Sequence, residues 1–415
     1  MRDAFALAVE AASPSNLVRR SMLLHRLTAC PPEGEAVILA VGKAAAGMAK
    51  GLLTQWPLAN PPRGMVLVPH GNARAIGELA VRSAGHPYAD RHSLAAGAAM
   101  LDLVRGLGPK DRLLVLLSGG GSALASLPAP GVTLEEFNAV AESLMRLGAS
   151  IRELNILRKN LGRVGGGKLC HAAGTRDIDL LALSDVSDDD PATIASGPFA
   201  PDGSSQADAV AVLARHAIAP AASVRRALAD PANRTIRHRD PCFAGLHSEV
   251  VPVDLWIDPV AAFLAESGYA VDIPGRRLEG EARAIGIDHA RTALRHAASG
   301  KRIALLSGGE ATVRVRGTGY GGPSAEAALA FAGTTGGHAA IMALFADTDG
   351  IDGPTRNAGA VIVPGTLARI SQCGRDVASA LETSDSAALF DQTGDAFVTG
   401  PTGTNVNDFR LVLIN

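Results

Sequence analysis

Short apolar runs of four to six residues recur along the chain, and each ends in a cluster of Gly, Ser or Asp. Ala36–Val41 leads into Gly42-Lys43, residues 113–117 into SGGGS at 118–122, and residues 180–183 into SDVSDDD at 184–190. Residues 303–306 lead into SGGE at 307–310, and residues 341–346 into DTDGIDG at 347–353. Apolar runs without alternation read as strands buried on both faces, as in parallel sheets. Segments rich in Ala, Leu, Arg and Glu lie between them, at 91–107, 134–148, 205–217 and 280–298, and are long enough for helices. Strand, loop and helix in repetition give α/β layering, with ligands expected at the carboxyl ends of the strands, where these loops fall. Residues 219–242 are rich in Pro and Arg and have little apolar periodicity. A break there divides the chain into a domain at 1–230 and a second at 231–415, both of ordinary size.

Composition narrows the class. The 415 residues carry 39 Lys+Arg against 41 Asp+Glu, a net charge of -2. That balance excludes a polybasic nucleic-acid or membrane-surface protein. Apolar residues make up 47% of the chain, enough for a buried core. Cys30, Cys170, Cys242 and Cys373 lie far apart, so neither a disulfide framework nor a zinc ribbon is expected. Asp3 and Glu10 flank the short apolar stretch at the N-terminus, which makes a poor signal peptide. No stretch approaches the roughly 20 apolar residues of a membrane helix, and a cytoplasmic protein is expected. HExxH, GxSxG and Cys–His patterns are absent.

The loops then carry the chemistry. Lys43 follows a strand and precedes a helix, where its charge and free backbone N–H groups favour an anion. Gly119, Gly120 and Gly121, between Ser118 and Ser122, let backbone amides approach an anion closely, although the Walker ending is missing. Lys168 directly follows a second glycine run at 165–167. Asp185, Asp188, Asp189 and Asp190 crowd a strand end, an arrangement that calls for a cation, water or a helix N-terminus to cap at Pro191. Gly317, Gly319 and Gly322 satisfy G-x-G-x-x-G between a strand-like and a helix-like run, with no acidic residue about 20 positions on. Asp347, Asp349 and Asp352 share a loop that lacks the EF-hand glutamate, since Ala358 holds the twelfth position. The segment 393–414 is rich in Thr, Asn and Gly between two strands, with side chains suited to a small polar ligand or to bonding one another.

Taken in order, VGKAAAGMA, AGHPYAD, SGGGSAL, LGASIRELNILRKNLGRVGGGKL, SDVSDDDPATIASGPF, SGGEATVRV, DTDGIDGPT and GPTGTNVND resemble the glycerate 2-kinase family. Its members join a DUF4147 domain to a C-terminal MOFRL domain, and some carry an older hydroxypyruvate reductase label. The resemblance implies a large Rossmann-like α/β/α sandwich and a smaller α/β domain, with the active site in the cleft between them. It implies phosphorylation of D-glycerate at the 2-hydroxyl with ATP and Mg2+. Lys43 matches the family's catalytic lysine, and Asp185 and Asp189 match aspartates expected near metal or substrate. Expected nucleotide contacts are Ser118, Gly119, Gly120, Gly121, Ser122, Gly308, Gly309, Glu310, Gly321, Gly322, Thr402, Asn405 and Asn407. Expected substrate contacts are Lys159, Ser196, Glu326, Asp349 and Arg356. Partners are a sugar acid and a nucleotide, with no nucleic acid and no membrane, in a monomer or homodimer.

The chain departs from the family where members commonly carry arginine: Tyr320 and Pro323 stand there instead, and Gly165 replaces a lysine. Either Arg356 replaces the lost charge from a neighbouring loop, or the site accepts a different sugar acid. The departure keeps two alternatives open: an altered paralogue that binds a sugar acid or nucleotide, and an NAD(P)H-dependent hydroxypyruvate reductase.

Overall fold

The computed structural model describes residues 1–415 apart from Ser187. The chain forms two compact units. The first spans Pro14–Pro252; the second joins Met1–Ser13 to Val253–Asn415. The chain therefore passes between units at 252/253 rather than 230/231, because residues 246–251 add a strand to the first sheet. The first 13 residues belong with the C-terminal part.

The first unit is built on β1 (Ala36–Val41), β2 (Arg63–Pro69), β3 (Ala80–Ala84), β4 (Arg112–Leu117), β5 (Asp177–Leu183) and β6 (Leu246–Val251). All pairings are parallel, in the order β3-β2-β1-β4-β5-β6. Every residue of β1 and β4 is buried, as a central strand covered on both faces requires. The chain first steps outward from β1 to β3, then returns to place β4 on the other side of β1. The loops leaving β1 and β4 therefore diverge and open a crevice at their carboxyl ends. Capping boxes at Thr133, Ser150 and Ser205 start the helices Leu134–Arg146, Ile151–Leu161 and Gln206–Arg215. With Ala222–Ala229 these helices close a satellite core that includes Phe137, Leu144, Leu157, Val212 and Leu228.

The second unit carries β7 (Ala270–Glu281), β8 (Ile303–Thr312), β9 (Ile341–Asp347), β10 (Gly359–Ile362), β11 (Ala396–Phe397) and β12 (Asp408–Ile414). Their order is β11-β10-β9-β12-β8-β7. Here the expectation of parallel strands fails. β12 inserts between β8 and β9 and runs antiparallel to both; among the described pairs only β7–β8 is parallel. All seven residues of β12 are buried. An unbroken apolar run thus signals cover on both faces, not direction.

The helix Arg2–Ala11 packs against Ile257–Glu266 in this unit. Phe5 meets Phe397 and Phe409 edge-on, with centroids 5.0 and 5.4 Å away, and Thr404 donates to the Ala12 carbonyl at 2.7 Å. Among the described residues no helix is long and apolar enough to cross a membrane. Phe5→Ala empties an aromatic cluster rather than trimming a loose tail. It is expected to destabilise the second unit by about 3–5 kcal/mol, read as a lowered denaturant midpoint; an unchanged midpoint would mean that the helix is not part of that core.

Candidate active site

The crevice of the first sheet gathers loops from four strands. Lys43 leaves β1 and stands exposed just before the helix Ala45–Thr54, its N–H donating to the Gly119 carbonyl at 2.9 Å. Ser118 leaves β4, and its hydroxyl accepts the Ala44 N–H at 3.1 Å. The three glycines that follow form a floor with no room for side chains. A Cβ on Gly119 would collide with the Asp185 carboxylate, one on Gly120 would touch the His86 ring and the Lys43 stem, and one on Gly121 would strike Ala195. The triple glycine is thus explained by the close approach of four residues from other loops.

Charge at this floor is unevenly paired. The half-buried carboxylate of Asp185 accepts its own backbone N–H. Burial pushes its pKa up, and the Lys43 ammonium pulls the other way. His86 is held below its ordinary range by burial, then by the charges of Lys43 and Arg158, so its ring is neutral at pH 7. Arg158, in the last turn of Ile151–Leu161, also has its pKa lowered by burial. Asp189 has a positive φ of 49°, and Ala195 and Ser196 follow at 50° and 61°. Such conformations cost on the order of 1–3 kcal/mol each for non-glycine residues and persist where the surroundings enforce them. Ser196 shares a 2.7 Å hydrogen bond with Ser122 and donates to Asn155 at 3.1 Å.

Other expected contacts are committed elsewhere. Lys159 is buried and bonded to Asp202 at 2.5 Å, which ties the helix Ile151–Leu161 to the loop at 202. Lys168 donates to three carbonyls, those of Lys159, Gly162 and Asn233, and burial lowers its pKa to about 8. Asp190 accepts the Ala192 N–H at 2.9 Å and so caps a turn, not the helix expected at Pro191.

In the second unit the expected residues mostly bind one another. Glu326 is buried against Arg283 at 2.7 Å. Thr402 donates to the Thr348 carbonyl at 2.6 Å, Asn405 accepts the Asn407 N–H at 3.0 Å, and the Asn407 carbonyl accepts from the Thr348 hydroxyl at 2.7 Å. Asp349 accepts the Ile351 N–H at 2.8 Å. Gly308 and Gly309 lie against Arg276, Trp256 and Leu278, where any Cβ would clash; Glu310 continues the exposed end of β8 and is engaged within the chain. Arg356 is exposed, with no hydrogen bond or ion pair among the described residues. The strand-like run before Gly317 ends early, since β8 stops at Thr312. Gly317, Gly319 and Gly321 press instead on Thr383, Asp385 and Ser386, so this segment lacks the strand-to-helix context of a dinucleotide fingerprint.

Pro323 opens the helix Pro323–Thr335 without an N–H of its own. The two oxygens of Asp352 take the next two donors, Ser324 and Ala325, each at 2.8 Å. Gly322 must lack a side chain because Asp352 occupies that space. Burial nevertheless pushes Asp352 up to about 7, with Asp408 and Asp349 adding to the rise.

Two family models match the chain: a domain of unknown function, DUF4147, over residues 1–229, and the MOFRL family over 303–408. The D-glycerate 2-kinase of Thermotoga maritima is 35% identical over 413 residues, covering 98% of this chain and 96% of that protein. The chain belongs to the DUF4147–MOFRL glycerate 2-kinase family. A crystal structure of Thermotoga maritima glycerate kinase superposes with a TM-score of 0.90 at 33% identity, over 100% of this chain and 98% of that one. An Agrobacterium vitis protein provisionally named hydroxypyruvate reductase is 37% identical, covering 100% of this chain and 94% of that one. His86 and Arg158 are further candidates that the motifs contained without marking: one lies in AGHPYAD, the other beside Lys159 in LNILRKN. Their signal was available only as a polar residue inside a matched motif; burial and pairing had to separate Arg158 from Lys159.

Two outcomes follow from this geometry. Gly119→Ala forces Asp185 aside and is expected to cost about 1–3 kcal/mol. Gly203→Ala, where a Cβ meets nothing, stays within about 0.5 kcal/mol; equal denaturant midpoints for the two variants would refute the packed floor. For Asp352 the folded pKa lies above the unfolded value of 3.8. Its contribution to stability is therefore complete below that value and is lost as pH rises through about 7. From pH 4.5 to 7.5 the wild type should lose on the order of 2–4 kcal/mol relative to Asp352→Asn, measured by urea unfolding at both pH values; a constant difference would contradict the shift.

Proposed function

We propose that the chain is an ATP-dependent kinase that phosphorylates the 2-hydroxyl of D-glycerate or a closely related small hydroxy acid. The observation that carries this reading is its end-to-end likeness to glycerate kinases, with Lys43 and Asp185 meeting on the glycine floor of the first sheet.

In the proposed reaction the 2-hydroxyl oxygen attacks the γ-phosphorus of ATP, the bond to the β,γ-bridging oxygen breaks, and ADP leaves. The demand on the protein is positioning and neutralisation of charge on the moving phosphoryl group. Lys43 supplies a positive point charge beside the floor, and the backbone of Gly119–Gly121 permits close approach of phosphate oxygens. His86, neutral at pH 7, has a free ring lone pair for the hydroxyl proton. Asp185 and Asp189 suit a divalent cation as a pair of carboxylates on one loop. Among the described residues no third His, Cys, Asp or Glu joins them in a ligand cluster. A magnesium ion held there would complete its shell with water and nucleotide phosphates, its usual coordination in kinases, and would offset phosphate charge. The charge missing at Tyr320 and Pro323 leaves Lys43 and Arg158 as the cations of this reading. A reductase is disfavoured because Gly317–Gly322 serves packing. Substrates of this kind, a small charged acid and ATP, suit a cytoplasmic enzyme.

Purified protein should release ADP with D-glycerate, ATP and Mg2+, and should leave NADH unoxidised with hydroxypyruvate. Lys43→Ala should lower kcat by about 100- to 1,000-fold. NADH loss without acid-dependent ADP release would overturn the kinase reading.

A further inference from the structure

We infer that Arg158 is the anchor for the carboxylate of the acceptor acid. This rests on the kinase reading for the chemical class of the ligand, a small 2-hydroxy carboxylate.

Among the described residues the buried cations Arg112, Lys159 and Arg410 and the half-buried Lys168 are satisfied from within. Arg112 is buried and bonds Asp177 at 2.8 Å together with the Cys30 carbonyl at 2.6 Å. Arg410 bonds Asp408 and the Gly308 carbonyl. Lys159 has Asp202, and Lys168 has three carbonyls. The half-buried Arg158 differs from these. Among the described residues its guanidinium has no hydrogen bond and no ion pair, although burial lowers its pKa. A guanidinium withdrawn from water without a partner is costly, and its five donors form a planar fork that matches a carboxylate.

The surroundings supply the rest of the argument. Arg158 borders a small cavity of about 20 Å³ with Gly121, Ser122, Gly165, Ala195 and Ser196. That is room for a group of one or two water-sized atoms rather than for a nucleotide base. Lys43 and Arg158 both act on His86, and Lys43 acts in turn on Asp185. An acid ligand would give the Arg158 guanidinium the counter-charge that no side chain supplies among the described residues. Ser196, held at a left-handed φ, lines the same cavity with its one proton committed to Asn155 and its oxygen accepting from Ser122, so the donors there for a carboxylate are those of Arg158. Lys43 lies at the floor where the phosphoryl group is proposed to move, so the two cations divide the work: one for the transferring group, one for the acid.

The test uses the full chain as wild type, Arg158→Lys and Arg158→Gln. Initial rates are measured with ATP against D-glycerate and against glycerol, an acceptor without a carboxylate. The KM for D-glycerate should rise at least 10-fold in Arg158→Gln and less in Arg158→Lys, while the KM for ATP changes less than 3-fold. The preference for D-glycerate over glycerol should fall by a similar factor. Without ligand, Arg158→Gln should melt at or above the wild-type temperature, because it removes a half-buried charge with no partner among the described residues; a structural role would lower it. An unchanged KM for D-glycerate, an effect confined to ATP, or a large loss of thermal stability in Arg158→Gln each overturns the assignment. Wild type inert toward every acceptor would refute the kinase reading separately. The anchor would then be judged by thermal stabilisation with D-glycerate: lost in Arg158→Gln if it is correct, retained in that variant or missing from the wild type if it is wrong.

Discussion

The site depends on a reversal of strand order. Because β4 lies beside β1 but on the side away from β2, the loops that leave these two strands part at their carboxyl ends. Gly42-Lys43 and Ser118–Ser122 are those loops. The floor made by Gly119, Gly120 and Gly121 then lets Asp185, His86, Lys43 and Ala195 approach from different directions. A single methyl on that floor would separate groups that the proposed chemistry needs together. The left-handed backbone at Ala195 and Ser196 belongs to the same packing problem: the chain accepts local strain to bring Ser196 next to Ser122 and Asn155.

The two units handle charge differently. In the second unit, carboxylates cluster but are largely satisfied by the chain itself. Asp352 caps a helix that Pro323 opens, and Asp408 takes Arg410 and the Ala311 N–H. In the first unit Arg112 and Lys159 are paired in the same way, but the half-buried Arg158 has no side-chain partner among the described residues, and the half-buried Asp185 has the Lys43 charge without a side-chain hydrogen bond. Unpaired buried charge is tolerated where function needs it and is removed elsewhere, and this contrast directs attention to the first sheet.

Much of this organisation was legible in the sequence. Apolar runs located β1, β4, β5, β8 and β9, and the Gly/Ser/Asp loops after them marked the carboxyl ends where the candidate site lies. Periodicity did not reveal strand direction, because β12 and β4 are both buried on two faces yet only β4 joins a parallel sheet. Nor did it reveal that the first helix packs with the C-terminal part, a pairing created by Phe5, Phe397 and Phe409 across most of the chain. Lys159 and Arg158 are neighbours in one motif and indistinguishable by charge. Only the rotation of about 100° between neighbouring helix positions decides which meets Asp202 and which has no side-chain partner. The glycines at 317–322 fit a nucleotide pattern by spacing, but they answer to contacts with Thr383, Ser386 and Asp352 that no local pattern encodes.

The central claim is that acid and phosphoryl donor meet on the floor of the first sheet. A crystal structure of the chain with D-glycerate and a non-hydrolysable ATP analogue tests it most directly. The account predicts the γ-phosphate beside Lys43 and Gly119–Gly121, and the acid's carboxylate on Arg158. A ligand seated on the Gly317–Gly322 segment, with the first floor empty, would contradict it.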